Sequence, residues 1–583
     1  MKDLLIKGGT VVDGTGAPAF KADVLVKDGR IARVGTDLAA NGAEIHDAAG
    51  CYVTPGFIES HTHYDATMWW QNDLDPLPGY GATTIITGNC GFTAAPISDD
   101  KAAQIEMMNI FSFFEDIPLE PFAKEVPWDW RLWSEYKESL KKRVQLPLNN
   151  ASFVGHIAIR LAAMGVDAWK RAATRGEIAR MAELLDDALA AGALGLSENL
   201  LDHDGEGRPI PTLLAEDEEI SALFDVLDRY PHASVQCVLD IGLIRDTGPE
   251  QSRRLARLLK GRAIRFQFTG LIPTIGYQGY LLEPMRALRD EIRAMGIDAW
   301  VGYAHIPFTL QLGLYKTLLF AQSGDYVWHE VVKAETPEEK AALLADPDWR
   351  ARARDSWETK SPPASPMNNP HMLLLTRIGS DNGTGPFDLT LKDYAEQKGV
   401  HRSDAMADWF LANGVYSTIR MEPFAMNDEA VVEMVHDERT VGNISDAGAH
   451  LQMLCGGGEN IVYLTKYHRD EKLITIEEAV HVMTGRLAEH FRLRDIGEIK
   501  EGKRADIAVF NLAEIQQRDM EKAYDVTDGK GGITWRFTRQ AAPMRLTLVN
   551  GVATFDGKKA TGEKPGEFLE PAMGEFQFAA AAE

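Results

Sequence analysis

Cysteine is scarce in this chain, with four among 583 residues, at Cys51, Cys90, Cys237 and Cys455. Four thiols cannot staple a chain of this length, so a disulfide-held scaffold is excluded and a reducing compartment is expected. Long apolar runs are missing as well. Nothing approaches the roughly 20 residues that span a bilayer, and the start, Met1-Lys2-Asp3-Leu4-Leu5-Ile6-Lys7-Gly8-Gly9, has no secretion-signal core of roughly 7–15 apolar residues. Cytoplasmic residence is the expectation. Positive charge is in deficit, with 61 Lys and Arg against 86 Asp and Glu and a formal net charge of -25. Nucleic acids and anionic membranes are gripped by basic faces, so neither is an expected partner.

What is present resembles an ordinary soluble enzyme, 45% hydrophobic and 25% charged. The length exceeds a single core and predicts one large domain with smaller ones beside it. Three zones differ in texture. Residues 1–55 alternate short β-rich runs with turns, among them Ala22-Asp23-Val24-Leu25-Val26-Lys27 followed by the hairpin dipeptide Asp28-Gly29. Residues 56–490 interleave short apolar strands, such as Ala82-Thr83-Thr84-Ile85-Ile86-Thr87, with helical stretches such as 175–191, the signature of parallel βα units. Short strands return in 491–583, as in Ala505-Asp506-Ile507-Ala508-Val509-Phe510. Each β-rich end is too small to bury a core alone, so the two are expected to pair into one small domain. The tail from about residue 575 is expected to fray.

The most informative run is Pro55-Gly56-Phe57-Ile58-Glu59-Ser60-His61-Thr62-His63-Tyr64-Asp65, which ends an apolar strand with two histidines one residue apart. In an extended chain residues i and i+2 point the same way, so His61 and His63 can hold one metal ion from a strand tip. Two ordinary buried histidines would read the same in isolation.

The wider context carries a resemblance. The N-terminal Ile6-Lys7-Gly8-Gly9-Thr10-Val11-Val12-Asp13-Gly14, the 55–65 block, Gly88-Asn89-Cys90-Gly91, Gly155-His156-Ile157-Ala158-Ile159-Arg160, residues 192–197, Ser445-Asp446-Ala447-Gly448-Ala449-His450 and Gly502-Lys503-Arg504-Ala505-Asp506 follow one another along the whole chain. Together they resemble the amidohydrolase superfamily, and within it the D-aminoacylase (N-acyl-D-amino-acid deacylase) group. The resemblance implies an α/β fold, a distorted (β/α)8 TIM barrel at 56–490 with insertions near 100–145 and 305–370. A small β-sandwich would be built from residues 1–55 and 491–583. It implies a divalent metal, zinc above all, held by His61, His63, Cys90 and Asp446. Asp446 would also be the catalytic base that takes the proton of the attacking water. The small-molecule substrate implied is an N-acyl amino acid or a similar acyl amide.

The sequence also departs from that group, which supplies two further histidines in segments that here read Ala233-Ser234-Val235-Gln236-Cys237-Val238-Leu239 and Ile264-Arg265-Phe266-Gln267-Phe268-Thr269-Gly270. Cys237 is either a replacement ligand or a core cysteine. Gln267 is a poor zinc ligand and a reasonable hydrogen-bond partner for substrate. His305, at the end of Ala299-Trp300-Val301-Gly302-Tyr303-Ala304, is either a metal or substrate contact or merely solvated. His156 is expected to orient substrate or the partners of the ligands, and His450, four residues after Asp446, to face the same cavity. Arg160 matches a substrate carboxylate with its guanidinium fork, or makes a structural ion pair.

The altered ligand set leaves two other readings open: opening of an ester, lactone or cyclic amide, or cleavage of a C–C bond, on the same barrel; and a catalytically silent binding or scaffold barrel. Met107, Met108, Phe111, Phe113, Phe114, Trp128, Trp130 and Trp133 in the first insertion either pack a core or form a lid or homo-oligomer contact. The same holds for Phe308, Tyr315, Phe320, Tyr326 and Trp328 after His305.

Overall fold

Strands from both ends of the chain share one sheet. In the computed structural model, which describes all residues except 1, 202, 205–207, 240–246, 275–281, 308, 315–326, 361–368, 378–382, 422–424, 528–531 and 574–583, the order is Val552–Phe555, Met544–Val549, Ile507–Phe510, Tyr52–Pro55, Leu4–Val11, Phe20–Lys27 and Arg30–Gly35, with Glu44–Asp47 also beside Leu4–Val11. The seam is the antiparallel pairing of Ile507 with Pro55 through Phe510 with Tyr52. Ile6, Val24, Val26 and Val53 from the N-terminal part and Ile507, Val509 and Leu548 from the C-terminal part are buried in one cluster. Each such side chain stabilises by about 1.5–3 kcal/mol when fully buried, and neither part supplies the cluster alone. Lys27 pairs with Arg30 across Asp28-Gly29, both at positive φ (48° and 75°), the geometry that a two-residue hairpin turn requires.

Three parallel sheets occupy the middle of the chain. One joins Phe57–Glu59, Ala82–Thr87 and Asn149–Ser152. A second runs Val154–Gly155, Gly195–Leu200, Ser234–Leu239, Arg265–Leu271, Ala299–Tyr303 and Thr440–Val441. The third pairs Ile444–Ala447 with His61–Thr62. Helices including His156–Met164, Arg175–Ala190, Asp217–Leu227, Gly248–Leu259 and Leu282–Ala294 alternate with these strands, which gives an α/β fold. Every residue of Ala82–Thr87 and Gly195–Leu200 is buried, as expected of parallel strands covered on both faces. The helix predicted at 175–191 is Arg175–Ala190. Thr174 Oγ1 accepts from Glu177 N and Glu177 Oε2 accepts from Thr174 N, a capping box, and Ile178, Met181, Leu185 and Leu189 form its buried face.

The stretch 101–143 folds onto the main core. Asp100 caps the helix Lys101–Phe114 by accepting from Ala102 N at 2.9 Å. Met107, Ile110 and Phe111 are buried, and Phe111 meets Phe92 and Phe122 at ring-centroid distances of 5.3 Å. Trp130 stacks on Trp69 at 5.4 Å. Met108, Phe114 and Trp128 pack on the same cluster half-buried. Phe113 instead meets His203 and His329. A second core gathers Trp328, Trp349, Trp357, Trp409, Phe410, Leu373, Leu375 and Ile419 beside a sheet of Leu310–Gly313, Thr418–Met421, Leu373–Leu375 and Leu389–Thr390. Phe308, Tyr315, Phe320 and Tyr326, and the tail expected to fray, lie outside the described residues. Among the described residues, no helix is long and apolar enough to cross a membrane.

Candidate metal centre

The strand that begins at Phe57 runs on through Ser60 to His61–Thr62, where its neighbour becomes Ile444–Ala447. That pairing is irregular: Ile444 faces His61 and Ala447 faces Thr62, so Ser445 and Asp446 bulge between them, with Asp446 at φ 51°. A bulge re-aims a side chain. Here it brings Asp446 Oδ1 to 3.5 Å from His61 Nε2 and 3.7 Å from His63 Nε2. Gly448, two residues on, sits at φ 93°, and a Cβ there would lie 2.7 Å from Tyr64 N and 2.9 Å from the carbonyl carbon of His63. Only glycine admits so close an approach of the two chain segments.

Cys90 follows the strand Ala82–Thr87 in a turn where Gly88, Cys90 and Gly91 all have positive φ. The turn is pinned from neighbouring strands. Cys90 N donates to Gln236 Oε1 (3.0 Å), Asn199 Nδ2 donates to Cys90 O (3.0 Å) and Gly91 N donates to Ser197 Oγ (3.1 Å). The thiol is thereby set 3.1 Å from His61 Nε2. Ligand atoms of His61, His63 and Cys90 lie within 4.8 Å of one another, and all three residues are buried.

The charges around this group are unusual. Burial pulls His61 down to about 4, against the pull of Asp446, so its imidazole is neutral near pH 7. Burial also works against a charge on His63, but the Glu115 and Asp446 carboxylates outweigh it and hold His63 up at about 9. Burial opposes ionisation of Asp446 too, yet His63, His61 and His450 keep its carboxyl well below the usual carboxylate range. Burial pushes Asp65 and Glu115 up to about 7 and His450 down to about 4. Two imidazoles and a thiol thus gather their donor atoms, with the Asp446 carboxylate beside both imidazoles, while His61 Nδ1 and His63 Nδ1 make no hydrogen bond. Soft nitrogen and sulfur donors with one carboxylate, so gathered, fit a zinc-type ion.

The other residues singled out in the sequence are placed as follows. His450 joins the cluster through Glu115, 3.8 Å from its Nε2. His156 is fully buried between Glu198 (2.7 Å) and Glu219 (2.8 Å), which hold it up at about 9 against burial. Arg160 is also fully buried, its guanidinium donating to Glu219 and to the carbonyls of Ala168 and Arg171. Gln267 pairs with His490 Nε2 at 2.7 Å. His305 is buried, not solvated: it stacks on Tyr463 at 3.9 Å and its Nε2 meets Glu459 O at 2.9 Å. Cys237 alternates to the strand face opposite Gln236, where burial pushes its thiol far up, so it does not stand in for a histidine at the cluster.

Sequence reasoning missed Glu115, Gln236 and Asn199. Gln236 and Gln267 are register partners on adjacent parallel strands, a pairing that their positions in two short apolar runs could have suggested. Glu115 gave no signal, because it arrives by docking of the helix Lys101–Phe114.

Known proteins resemble this chain along most of its length. The Amidohydrolase family model matches residues 44–308 and 397–555, and Trp328, Trp349, Trp357, Leu373 and Leu375 of the second core lie between them. An N-acyl-D-aspartate deacylase of Alcaligenes xylosoxydans xylosoxydans is 27% identical over 98% of this chain and 95% of its own length. An N-acyl-D-glutamate deacylase of the same organism is 26% identical over 97% and 96%. A solved D-aminoacylase, described for the functional role of its binuclear metal centre, superposes with a TM-score of 0.65 at 25% identity, covering 98% of this chain and 100% of that one. With a family model matched along most of its length, the chain belongs to the amidohydrolase family.

Proposed function

We propose that this chain is a metal-dependent hydrolase of an amide C–N bond, acting on an N-acyl amino acid or a similar small acyl amide. The observation that carries the reading is the gathering of His61, His63 and Cys90 ligand atoms within 4.8 Å of one another, with Asp446 Oδ1 beside the two imidazoles, from three parts of the chain. The relatives' names, deacylases of N-acyl-D-aspartate and N-acyl-D-glutamate, support the substrate class.

The three parallel sheets read as arcs of one (β/α)8 barrel. In support, successive sheets share a strand interrupted only by Ser60, by Phe153, or by Gly442 and Asn443. Residues 56–490 would form that barrel, and 1–55 with 491–583 the small terminal domain. The site then lies at the C-terminal ends of the strands, where barrel enzymes place their chemistry.

His61 and His63 would hold a zinc ion through Nε2 and Cys90 through its thiolate, with Asp446 beside them. An ion bound there polarises an amide carbonyl and lowers the pKa of water from 15.7 to about 7. Asp446, ionised at neutral pH, accepts the proton of the attacking water and hands it to the leaving nitrogen. The bulge at Asp446 keeps that carboxylate within reach of both imidazoles, and its side chain, 29% exposed, is the open side of the cluster. Gln236 and Gln267 are engaged with Cys90 N and His490, which supports a single ion.

Metal content per chain, measured on protein purified without chelator or affinity metal, tests the reading together with amine release from D- and L-N-acyl amino acids. About one equivalent of zinc, lost in His61→Ala, with turnover of at least one amide is expected. Zinc-loaded protein inert on the whole amide panel would overturn it.

A further inference from the structure

The first insertion reaches the centre at one residue. The helix Lys101–Phe114 ends at Glu115, which is 2% exposed and whose backbone N donates to Phe111 O. The carboxylate turns away from solvent. Oε1 lies 3.5 Å from His63 Nδ1 and Oε2 lies 3.8 Å from His450 Nε2. The backbone carbonyl of Glu115 accepts from His450 N at 2.7 Å, which locks this carboxylate to the loop that follows Asp446. Among the described residues its ion-pair partners are both imidazoles, with no lysine or arginine. Burying a carboxylate costs several kcal/mol unless its partners compensate, so a glutamate in this place needs a reason beyond packing.

The two nitrogens of His63 supply one. Nε2 faces Asp446 and the donor cluster, whereas Nδ1 faces Glu115. A carboxylate 3.5 Å from Nδ1, within ion-pair range though not hydrogen-bonded, electrostatically favours a proton on that nitrogen and so leaves the Nε2 lone pair for an ion. We propose that Glu115 is a positioning residue of the metal centre: its carboxylate sets the Nδ1–H tautomer of His63 and aims Nε2 at the ion, making the inserted helix a built-in support of the site. The inference rests on the metal-centre reading above. It explains why a segment rich in core aromatics ends in a buried acid. The insertion also supports a centre in which Gln236 and Gln267 are occupied elsewhere.

Zinc dissociation constants from competition with a chromophoric chelator, for the intact chain, E115Q and H61A, test this alongside thermal melts of the metal-free proteins. The amide in E115Q preserves the shape of the side chain and removes its charge. The expected result is zinc binding weakened by about 10–100-fold in E115Q, the usual effect of removing an outer partner of a metal-bound histidine, with the metal-free melt unchanged. A weakening of less than about tenfold, or loss of the metal-free fold in E115Q, would assign Glu115 to the docking of the helix and overturn the proposal. H61A separates the two readings. If H61A abolishes tight zinc binding and E115Q does not weaken it, the role of Glu115 falls and the centre stands; if H61A binds zinc as the intact chain does, the centre itself falls.

Discussion

His61 Nε2 and Cys90 Sγ stand 3.1 Å apart across 29 residues of sequence. The strands Phe57–Glu59 and Ala82–Thr87 run parallel, and a register shift after Phe57 sets Glu59 beside Ile85, so their C-terminal extensions leave the sheet side by side. A thiol and an imidazole so placed share an ion readily. Cobalt-loaded protein should therefore show a thiolate-to-metal charge-transfer band that is absent in Cys90→Ser. Zinc affinity should drop in that variant by more than the about 10–100-fold that outer partners cost. An unchanged absorption spectrum would remove Cys90 from the ligand set.

Asp446→Asn keeps the size of the side chain and removes its basicity. We expect kcat on an N-acyl amino acid to fall by about 10²–10⁴-fold, the range of general-base contributions, with KM much less affected. Equal losses of zinc and activity would instead make Asp446 chiefly a ligand, so metal content has to be measured on the same samples.

Patterns that are local in the chain are legible in the sequence alone. The Asp28-Gly29 hairpin depends on two adjacent residues and the helix Arg175–Ala190 on a cap and an apolar stripe, and both are written consecutively. The sharing of one sheet by the two termini followed from core size. His61, His63, Cys90 and Asp446 each sit in a short run that ends a strand, which is why they could be picked out singly. Glu115 could not, because its approach to His63 depends on how the helix Lys101–Phe114 packs against Phe92 and Phe122. The pairing of Thr418–Met421 with both Leu310–Gly313 and Leu373–Leu375 was hidden for the same reason, since short strands far apart in sequence carry no mark of their partner.

Arg160 discriminates a substrate contact from a structural one. Fully buried against Glu219, it behaves as the cation of a buried ion pair. Arg160→Met would leave Glu219 with His156 alone and should cost about 3–5 kcal/mol in denaturant unfolding. The double variant Arg160→Met/Glu219→Gln should recover part of that loss, because no uncompensated charge remains. A KM raised for carboxylate-bearing substrates, at unchanged stability, would restore the substrate-binding role.

Gly448→Ala tests how closely the chain after Ile444–Ala447 must approach the chain after His61–Thr62. The new Cβ would meet the backbone of His63 and Tyr64 at less than 3 Å, and φ 93° is itself unfavourable for alanine by about 1–2 kcal/mol. His63 must move to relieve the contact. We expect weaker zinc binding along with the loss of stability, read by chelator competition and thermal melting; a change in melting alone would mean that the clash relaxes toward Tyr64.

Proton release offers a check on the electrostatics of the centre. A metal takes neutral imidazole and thiolate, so each proton that these groups carry must leave on binding. His61, held at about 4, carries none near pH 7, whereas His63, held at about 9 by Glu115 and Asp446 against burial, carries one. The sign follows from linkage. Because the folded value of His63 lies above its ordinary 6.5, its contribution to metal-free stability is full below pH 6.5 and is lost as pH rises through about 9. Zinc affinity runs the other way, rising over the same window as that proton becomes easier to remove. Titration calorimetry of Cys90→Ser, in which no thiol proton is released, in buffers of different ionisation enthalpy should count about one more proton released near pH 7 than near pH 10, where His63 is already neutral. Equal counts at both ends would show that His63 enters the reaction unprotonated and that the surrounding carboxylates do not hold its charge.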